Sequence, residues 1–218
     1  MKLDKNSRGS LVLVYVISAV VAALLILFVH SPWLLWPLLV IIAWFCIWQT
    51  MFFMVPERKP VGTDKLVSSV ADGRVVVAAK AFEPEMLKSE AIQVSVYMNF
   101  FDVHANFWPV SGEVVNYEYF PGKHFFAYHP KSSLENEHTC TLLRTPDGEQ
   151  VLFKQIAGGF ARRIVNYAQP GMKVTAGEQC GIIKFGSRID IFFPLDADVR
   201  VKEGDLVRAC ETVLAELS

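Results

Sequence analysis

Leu11-Val-Leu-Val-Tyr-Val-Ile-Ser-Ala-Val-Val-Ala-Ala-Leu-Leu-Ile-Leu-Phe-Val29 decides the architecture of this chain. It is followed by His30-Ser31-Pro32 and by a second apolar run, Trp33 to Val55. Residues 11–55 contain no Asp, Glu, Lys or Arg. A helix of about 20 apolar residues crosses a hydrocarbon core of about 30 Å, so the two runs, about 11–29 and 33–55, predict a transmembrane hairpin. A cleaved signal peptide is too short to explain it and is not followed by a second apolar run. Lys2, Lys5 and Arg8 precede the hairpin, Arg58, Lys59 and Lys65 follow it, and the connecting turn carries no Lys or Arg. The positive-inside rule then puts residues 1–10 and the C-terminal domain on the cytoplasmic side of a cell (inner) membrane. Pro37 falls near the start of the second helix, where proline is tolerated.

Outside the hairpin the chain reads as one soluble domain, residues 56–218, long enough for one good core. The whole is 52% hydrophobic and 20% charged, with mean hydropathy +0.32, which excludes a disordered chain, a fibrous protein and a purely soluble globule. Residues 1–60 carry a net charge of +3 and residues 61–218 a net charge of −4. The basic excess therefore belongs to membrane topology, and no nucleic-acid partner is expected. Cys46, Cys140, Cys180 and Cys210 form no CxxC pair, so neither a zinc site nor a disulfide framework is expected, and no metal.

Short runs of Val, Ile, Phe and Tyr between Gly, Pro and Asp turns predict strands near 74–79, 92–100, 113–120, 138–144, 150–156, 180–185, 189–193, 198–201 and 206–215. Ala157 to Ala168 predicts a helix, with Phe160, Ile164 and Tyr167 on one face. Lys173-Val-Thr-Ala-Gly-Glu-Gln-Cys180 and Val201-Lys-Glu-Gly-Asp-Leu-Val207 share a Gly-acidic turn of the kind used in lipoyl- and biotinyl-type sandwiches, which pairs Gly177 with Gly204. The fold class expected is a β-rich α+β domain, barrel-sandwich-like and quasi-repeated, behind a two-helix hairpin.

Chemistry concentrates in Ile182-Ile-Lys-Phe-Gly-Ser-Arg-Ile-Asp-Ile-Phe-Phe-Pro194, where Gly186-Ser187 sits between two strand-like runs. Taken alone, the pair is an ordinary turn or bulge. Asp72, before Gly73, is by itself a turn aspartate. Asp102-Val103-His104 places two polar side chains on one side of a strand-like segment, with a histidine suited to proton transfer.

Taken together, these segments resemble the phosphatidylserine decarboxylase family in its short prokaryotic form. The resemblance rests on Phe185-Gly-Ser-Arg-Ile-Asp190, Val70-Ala-Asp-Gly-Arg-Val75, Met98-Asn-Phe-Phe-Asp-Val-His-Ala-Asn-Phe-Trp-Pro-Val-Ser-Gly112, Ser133-Leu-Glu-Asn-Glu-His138, Gln155-Ile-Ala-Gly158 and Ala161-Arg-Arg-Ile164, in order along nearly the whole chain. The resemblance implies a proenzyme. Ser187 attacks the Gly186 carbonyl, and the chain divides into 1–186 (beta) and 187–218 (alpha). Ser187 becomes a pyruvoyl group, the covalent cofactor that forms a Schiff base with phosphatidylserine and releases CO₂ and phosphatidylethanolamine. It implies His104 as a proton-transfer group and Asp72 as a group that orients or activates Ser187. Asp102, Asn136, Arg162 and Arg163 are the candidate substrate-binding residues. The partners implied are phosphatidylserine, the membrane and the paired alpha and beta chains; a homo-oligomer is compatible with them. Longer members carry a second histidine where this chain has Phe107, so either His104 serves both steps or another group, such as His129 or His138, assists. The competing readings are a membrane-tethered, non-catalytic lipoyl/biotinyl-like adaptor and a related decarboxylase acting on another amine-bearing lipid.

Overall fold

The computed structural model describes residues 2–61, 65–126, 132–159, 163–184 and 187–218. It comprises two compact units, one ending at Pro56 and one running from Glu57 to Ser218.

In the first unit, β1 (Lys2–Leu3) pairs antiparallel with β2 (Met54–Val55) and brings together the two ends of a helical hairpin. The Asp4 carboxylate accepts from Asn6 N–H and Ser7 Oγ and caps the short 3-10 turn, Lys5–Ser7, that leads into α1 (Arg8–Phe28). Helix α2 (Pro32–Phe52) starts on a proline, which needs no hydrogen-bond acceptor in the first turn. Leu13, Ile17, Leu24, Leu27, Trp33, Trp36, Ile41 and Trp44 are exposed. Water penalises such an apolar surface and lipid does not. Both helices are long and apolar enough to cross a membrane.

The second unit is built from β3 (Leu66–Ser68), β4 (Gly73–Glu83), β5 (Ser89–Met98), β6 (Ala105–Phe107), β7 (Gly112–Phe120), α3 (Ser132–Glu135), β8 (His138–Arg144), β9 (Gln150–Ala157), β10 (Arg163–Asn166), β11 (Lys173–Val174), β12 (Gln179–Lys184), β13 (Ser187–Phe193), β14 (Asp198–Val199), β15 (Leu206–Val207) and β16 (Val213–Glu216). Eight strands form one curled antiparallel sheet in the order β11-β7-β8-β9-β13-β5-β4-β15. Two three-stranded sheets, β10-β12-β6 and β14-β16-β3, accompany it. Strand β13 is central, and all seven of its residues are buried. Ile189, Ile191 and Phe193 join the main core with Val94, Val96, Trp108 and Phe153, while Phe192 packs on the other side with Ala91, Cys140 and Leu152.

The β-rich class expected from sequence is the class observed. Two local expectations are corrected. The predicted helix 157–168 is not one: Ala157 ends β9, and Arg163–Asn166 is a strand paired with β12. Ile164 and Val165 are β-branched, and their backbone groups bond across to Ile183 and Ile182. Asn166 spends its side chain on Gln155 Oε1 and on the Ala168 N–H. Sheet pairing outweighs a short 3.6-residue pattern here. The predicted strand 206–215 is two strands, β15 and β16, because Cys210 between them has φ +65°.

The repeat is real, but its register differs from the one the glycines suggest. Val75 N–H donates to Asp205 C=O and Val75 C=O accepts from Gly204 N–H; Val114 makes the same two bonds with Met172 and Gly171. Leu206 and Val207 pair with Arg74 and Gly73 as Lys173 and Val174 pair with Glu113 and Gly112. Gly204 therefore matches Gly171, and Gly177 (φ +82°) matches Cys210. A Cβ on Gly73 or Gly112 would lie 2.1 Å from the carbonyl oxygen of Tyr97 or Arg144, so both halves need glycine at that crossing.

Candidate active site around Ser187

Ser187 opens β13 with Met98 of β5 on one side and Ala157 of β9 on the other. It is fully buried, and its Oγ lies 3.7 Å from Met98 Sδ. Gly186 lies outside the described residues. The preceding strand, β12, belongs to a different sheet from β13, so residues 185–186 join two separately paired strands.

His104 is tied by its backbone to the strand that leads to Ser187. Its C=O accepts from Ile183 N–H at 3.3 Å, which extends the β6–β12 pairing toward the Ser187 connection. The ring is buried, with Nδ1 2.8 Å from the Asp102 carbonyl oxygen. A carbonyl only accepts, so Nδ1 carries the proton and Nε2 is the basic nitrogen of the neutral ring. Burial pushes the His104 pKa down to about 4, against the opposing pull of the Asp102 carbonyl and the negative charge of Asp72.

Asp102 and His104 do not project side by side from a strand. Residues 99–102 form a turn in which Asp102 Oδ2 accepts from Asn99 N–H and Asp102 N–H donates to Asn99 C=O. Asp102 thus orients His104 through its backbone, while its carboxyl is raised by burial and by Asp72. Asp72 itself is engaged twice. Arg58 binds it with both terminal nitrogens, Nη2 at 2.6 Å from Oδ2, and Ala209 N–H donates to Oδ1 at 2.8 Å. Its influence on His104 is that of a nearby charge. Arg58, which the sequence presents as a topology flank, is also the partner of Asp72, and its own pKa is raised by that bond.

Asn136 is buried and fully occupied: Oδ1 accepts from Phe125 N–H, and Nδ2 donates to the Phe125 and Ala157 carbonyls. It holds the chain beside Ser187's neighbour. Arg163 is exposed and faces Lys184 across the β10–β12 pair. Arg162 and His129 lie outside the described residues. His138 sits on the far face of the sheet, in line with Ile156 and Arg188 and not with Ser187. Its ring is stacked on Phe120, with Nδ1 2.6 Å from Asn136 O and Nε2 3.0 Å from both Glu85 oxygens.

Sequence reasoning missed two polar side chains. Asn106 Nδ2 approaches Met98 Sδ at 3.8 Å, the same sulfur that Ser187 Oγ meets, and Asn106 Oδ1 accepts from Gln155 Nε2 at 2.7 Å. The alternation of β6 that turns Phe107 away turns Asn106 toward Ser187. That alternation was the available signal.

Among the described residues, Glu85, His138 and Cys140 offer ligand atoms within 4.8 Å of one another. Lys154 Nζ already supplies the positive charge there, 2.5 Å from Glu85 and 2.6 Å from Glu83. Burial works to raise the Glu85 carboxyl, but the bonds from His138 and Lys154 prevail and hold it at about 2.

The model of the phosphatidylserine decarboxylase family matches residues 45–215, the span that contains this site. The chain belongs to the phosphatidylserine decarboxylase family. The phosphatidylserine decarboxylase proenzyme of Parabacteroides distasonis is 37% identical over the whole of both chains. Those of Amoebophilus asiaticus and Cytophaga hutchinsonii are 44% and 47% identical, over 79% and 76% of this chain and 76% and 75% of theirs. As a member of the phosphatidylserine decarboxylase family the chain is a decarboxylase, a lyase made as a proenzyme, and the non-catalytic adaptor reading is not favoured.

Proposed function

We propose that the chain cleaves itself between Gly186 and Ser187 and then decarboxylates phosphatidylserine to phosphatidylethanolamine at the cytoplasmic face of a membrane. The observation that carries this reading is Ser187 itself: a buried serine at the head of the central strand, joined through residues 185–186 to a strand that His104 holds.

The residues present fit a pyruvoyl group derived from Ser187. The head of β13 is fixed by Met98 and Ala157 on its two sides, with the Asn106 amide beside it. When formed, such a group supplies a carbonyl electron sink for loss of CO₂. The rest is the work of the chain. Neutral His104 offers Nε2 as a base and carries its Nδ1 proton to Asp102 O, a geometry that keeps the ring in one tautomer. Asp72 favours the protonated form of that ring by its charge. Asn106 is the polar side chain placed where Phe107 cannot act. Cleavage leaves both products anchored, since β13 pairs with β5 and β9, β15 with β4, and β16 with β3.

The basic flanks of the hairpin support the cytoplasmic side. Intact-mass analysis of purified protein tests the reading. The expected result is two chains, the smaller of 32 residues beginning at position 187 and refractory to Edman degradation because it has no amino terminus. An active preparation consisting only of the single 24.5 kDa chain overturns it.

A further inference from the structure

Phe101 is 80% exposed, Phe126 54%, Phe125 39% and Phe100 36%. All four stand at the end of the sheet where β13 begins. Phe100 and Phe101 follow Met98 and Asn99, and Met98 is the residue opposite Ser187 in β5. Phe125 is bound through its backbone to Asn136, whose amide also bonds Ala157, the residue opposite Ser187 in β9. The two phenylalanine pairs therefore flank Ser187 from strands about 10 Å apart, two strand spacings.

The outward position of Phe101 is built in. Its N–H donates to Asn99 Oδ1 at 2.8 Å, inside the turn that Asp102 closes on Asn99. Exposed cations accompany the aromatics. Lys123 Nζ lies 5.4 Å from the Phe125 ring and 2.9 Å from Glu135, and Arg163 stands at the end of β12 nearest the Ser187 connection. Glu137 faces the same segment through His124. Four exposed phenylalanines around one site are an apolar patch that water alone does not favour. Aromatic rings with Lys and Arg beside them match the boundary between hydrocarbon and anionic head groups.

We propose that this rim inserts into the lipid–water boundary and brings a phospholipid head group to Ser187 directly from the bilayer. The inference rests on the reading of phosphatidylserine as substrate. The full chain, with Cys46→Ser, takes an environment-sensitive NBD label at Phe101→Cys or at Asp147→Cys. Asp147 is exposed at the other end of β9, on the order of 25 Å away. Each is reconstituted in phosphatidylcholine–phosphatidylglycerol vesicles. The label at 101 should be blue-shifted, quenched by lipids bearing a doxyl group near the head, and shielded from iodide; the label at 147 should behave oppositely. In parallel, Phe101→Ser should lower kcat/KM about tenfold on vesicle-borne phosphatidylserine, the scale of one lost apolar anchor, and leave a short-chain phosphatidylserine below its micellar concentration unaffected. Equal iodide quenching at 101 and 147 overturns the proposal. So does shielding that grows with protein concentration and ignores doxyl lipid, which means a second copy covers the rim, and so does an equal loss on both substrates. If the wild type acts on neither form of phosphatidylserine while the label at 101 still meets doxyl lipid, the substrate reading fails and the membrane-inserting rim stands.

Discussion

Asp72 and Ser111 occupy the same place in the two halves of the repeated fold. Asp72 accepts from Ala209 N–H two residues beyond Val207, the partner of Gly73; Ser111 accepts from Ala176 N–H two residues beyond Val174, the partner of Gly112. A hydroxyl is therefore enough to cap this turn. What Asp72 adds is a negative charge, and that charge is the part of it that reaches His104.

The first prediction separates the cap from the charge. Replacing Asp72 alone takes the carboxylate from the half-buried Arg58, a loss that by itself destabilises. Arg58→Met removes that complication. Arg58→Met/Asp72→Ser should melt close to Arg58→Met, because Ser111 shows that serine caps the turn. Its self-cleavage should nevertheless be slower by about 10² or more, the range for disabling a proton-transfer step. Mass spectrometry of cleaved against intact chain measures the rate, and equal rates in the two variants mean that the carboxylate is only a cap.

Both the repeat and the central strand were visible in sequence, for different reasons. The alternation of Ile189, Ile191 and Phe193 is a local pattern that survives without tertiary knowledge. The repeat was misregistered because Cys210 takes a left-handed backbone where glycine is expected, so the glycines alone point to the wrong partner. The sequence puts Asp102 on a strand-like segment because nothing local announces that Asn99 closes a turn on it. In sequence Arg58 reads only as a topology flank, since its bonds to Asp72 and Ala209 join segments 14 and 151 residues distant. Asn106 and Gln155 become a pair only when β6 and β9 are brought together.

Retention of the 32-residue fragment is the second prediction. Arg188 follows Ser187 and is buried, with Nε 2.5 Å from Asp190 Oδ1 and Nη2 2.8 Å from Ser95 Oγ. Asp190 Oδ2 accepts from Ser133 Oγ and Gln93 Nε2. This clamp joins β13 to β5 and α3 after the covalent link is cut. The fragment should co-purify with the rest under native conditions. Asp190→Ala leaves the Arg188 charge buried without its carboxylate and should cost about 3–5 kcal/mol in urea unfolding of the cleaved protein. An unchanged midpoint rejects the clamp.

The pH profile gives a third. His104 is about 4 in the folded chain and about 6.5 when unfolded. The folded state therefore binds fewer protons than the unfolded state between these values. Its contribution to stability is full above about 6.5, falls as pH drops, and is lost below about 4; it is on the order of 3 kcal/mol. Processing should show its acid limb near pH 4 and not near 6.5, since neutral Nε2 is the base. Asp72→Asn, which removes the charge that raises His104, should move that limb lower. A limb that stays near 6.5 assigns the proton transfer to an exposed histidine.

His104 and His138 should part company when each is replaced. His104 donates its Nδ1 proton to the Asp102 carbonyl and hangs from the strand that leads to Ser187. His104→Ala should therefore lower turnover per processed chain by about 10²–10⁴, the usual range for losing a general acid or base, and slow cleavage as well. His138 lies on the opposite face, with both ring nitrogens bound to Asn136 O and Glu85. Glu85 is also held by Lys154, within a cluster that includes buried Glu83. His138→Gln should lower the urea midpoint by removing one of Glu85's partners while the turnover of molecules that do fold stays within a few-fold of wild type. Counting cleaved chains by mass spectrometry before assaying them separates the two effects. If His138→Gln loses turnover as severely as His104→Ala at full cleavage, proton transfer crosses the sheet, and the assignment of His104 as the base at Ser187 is wrong.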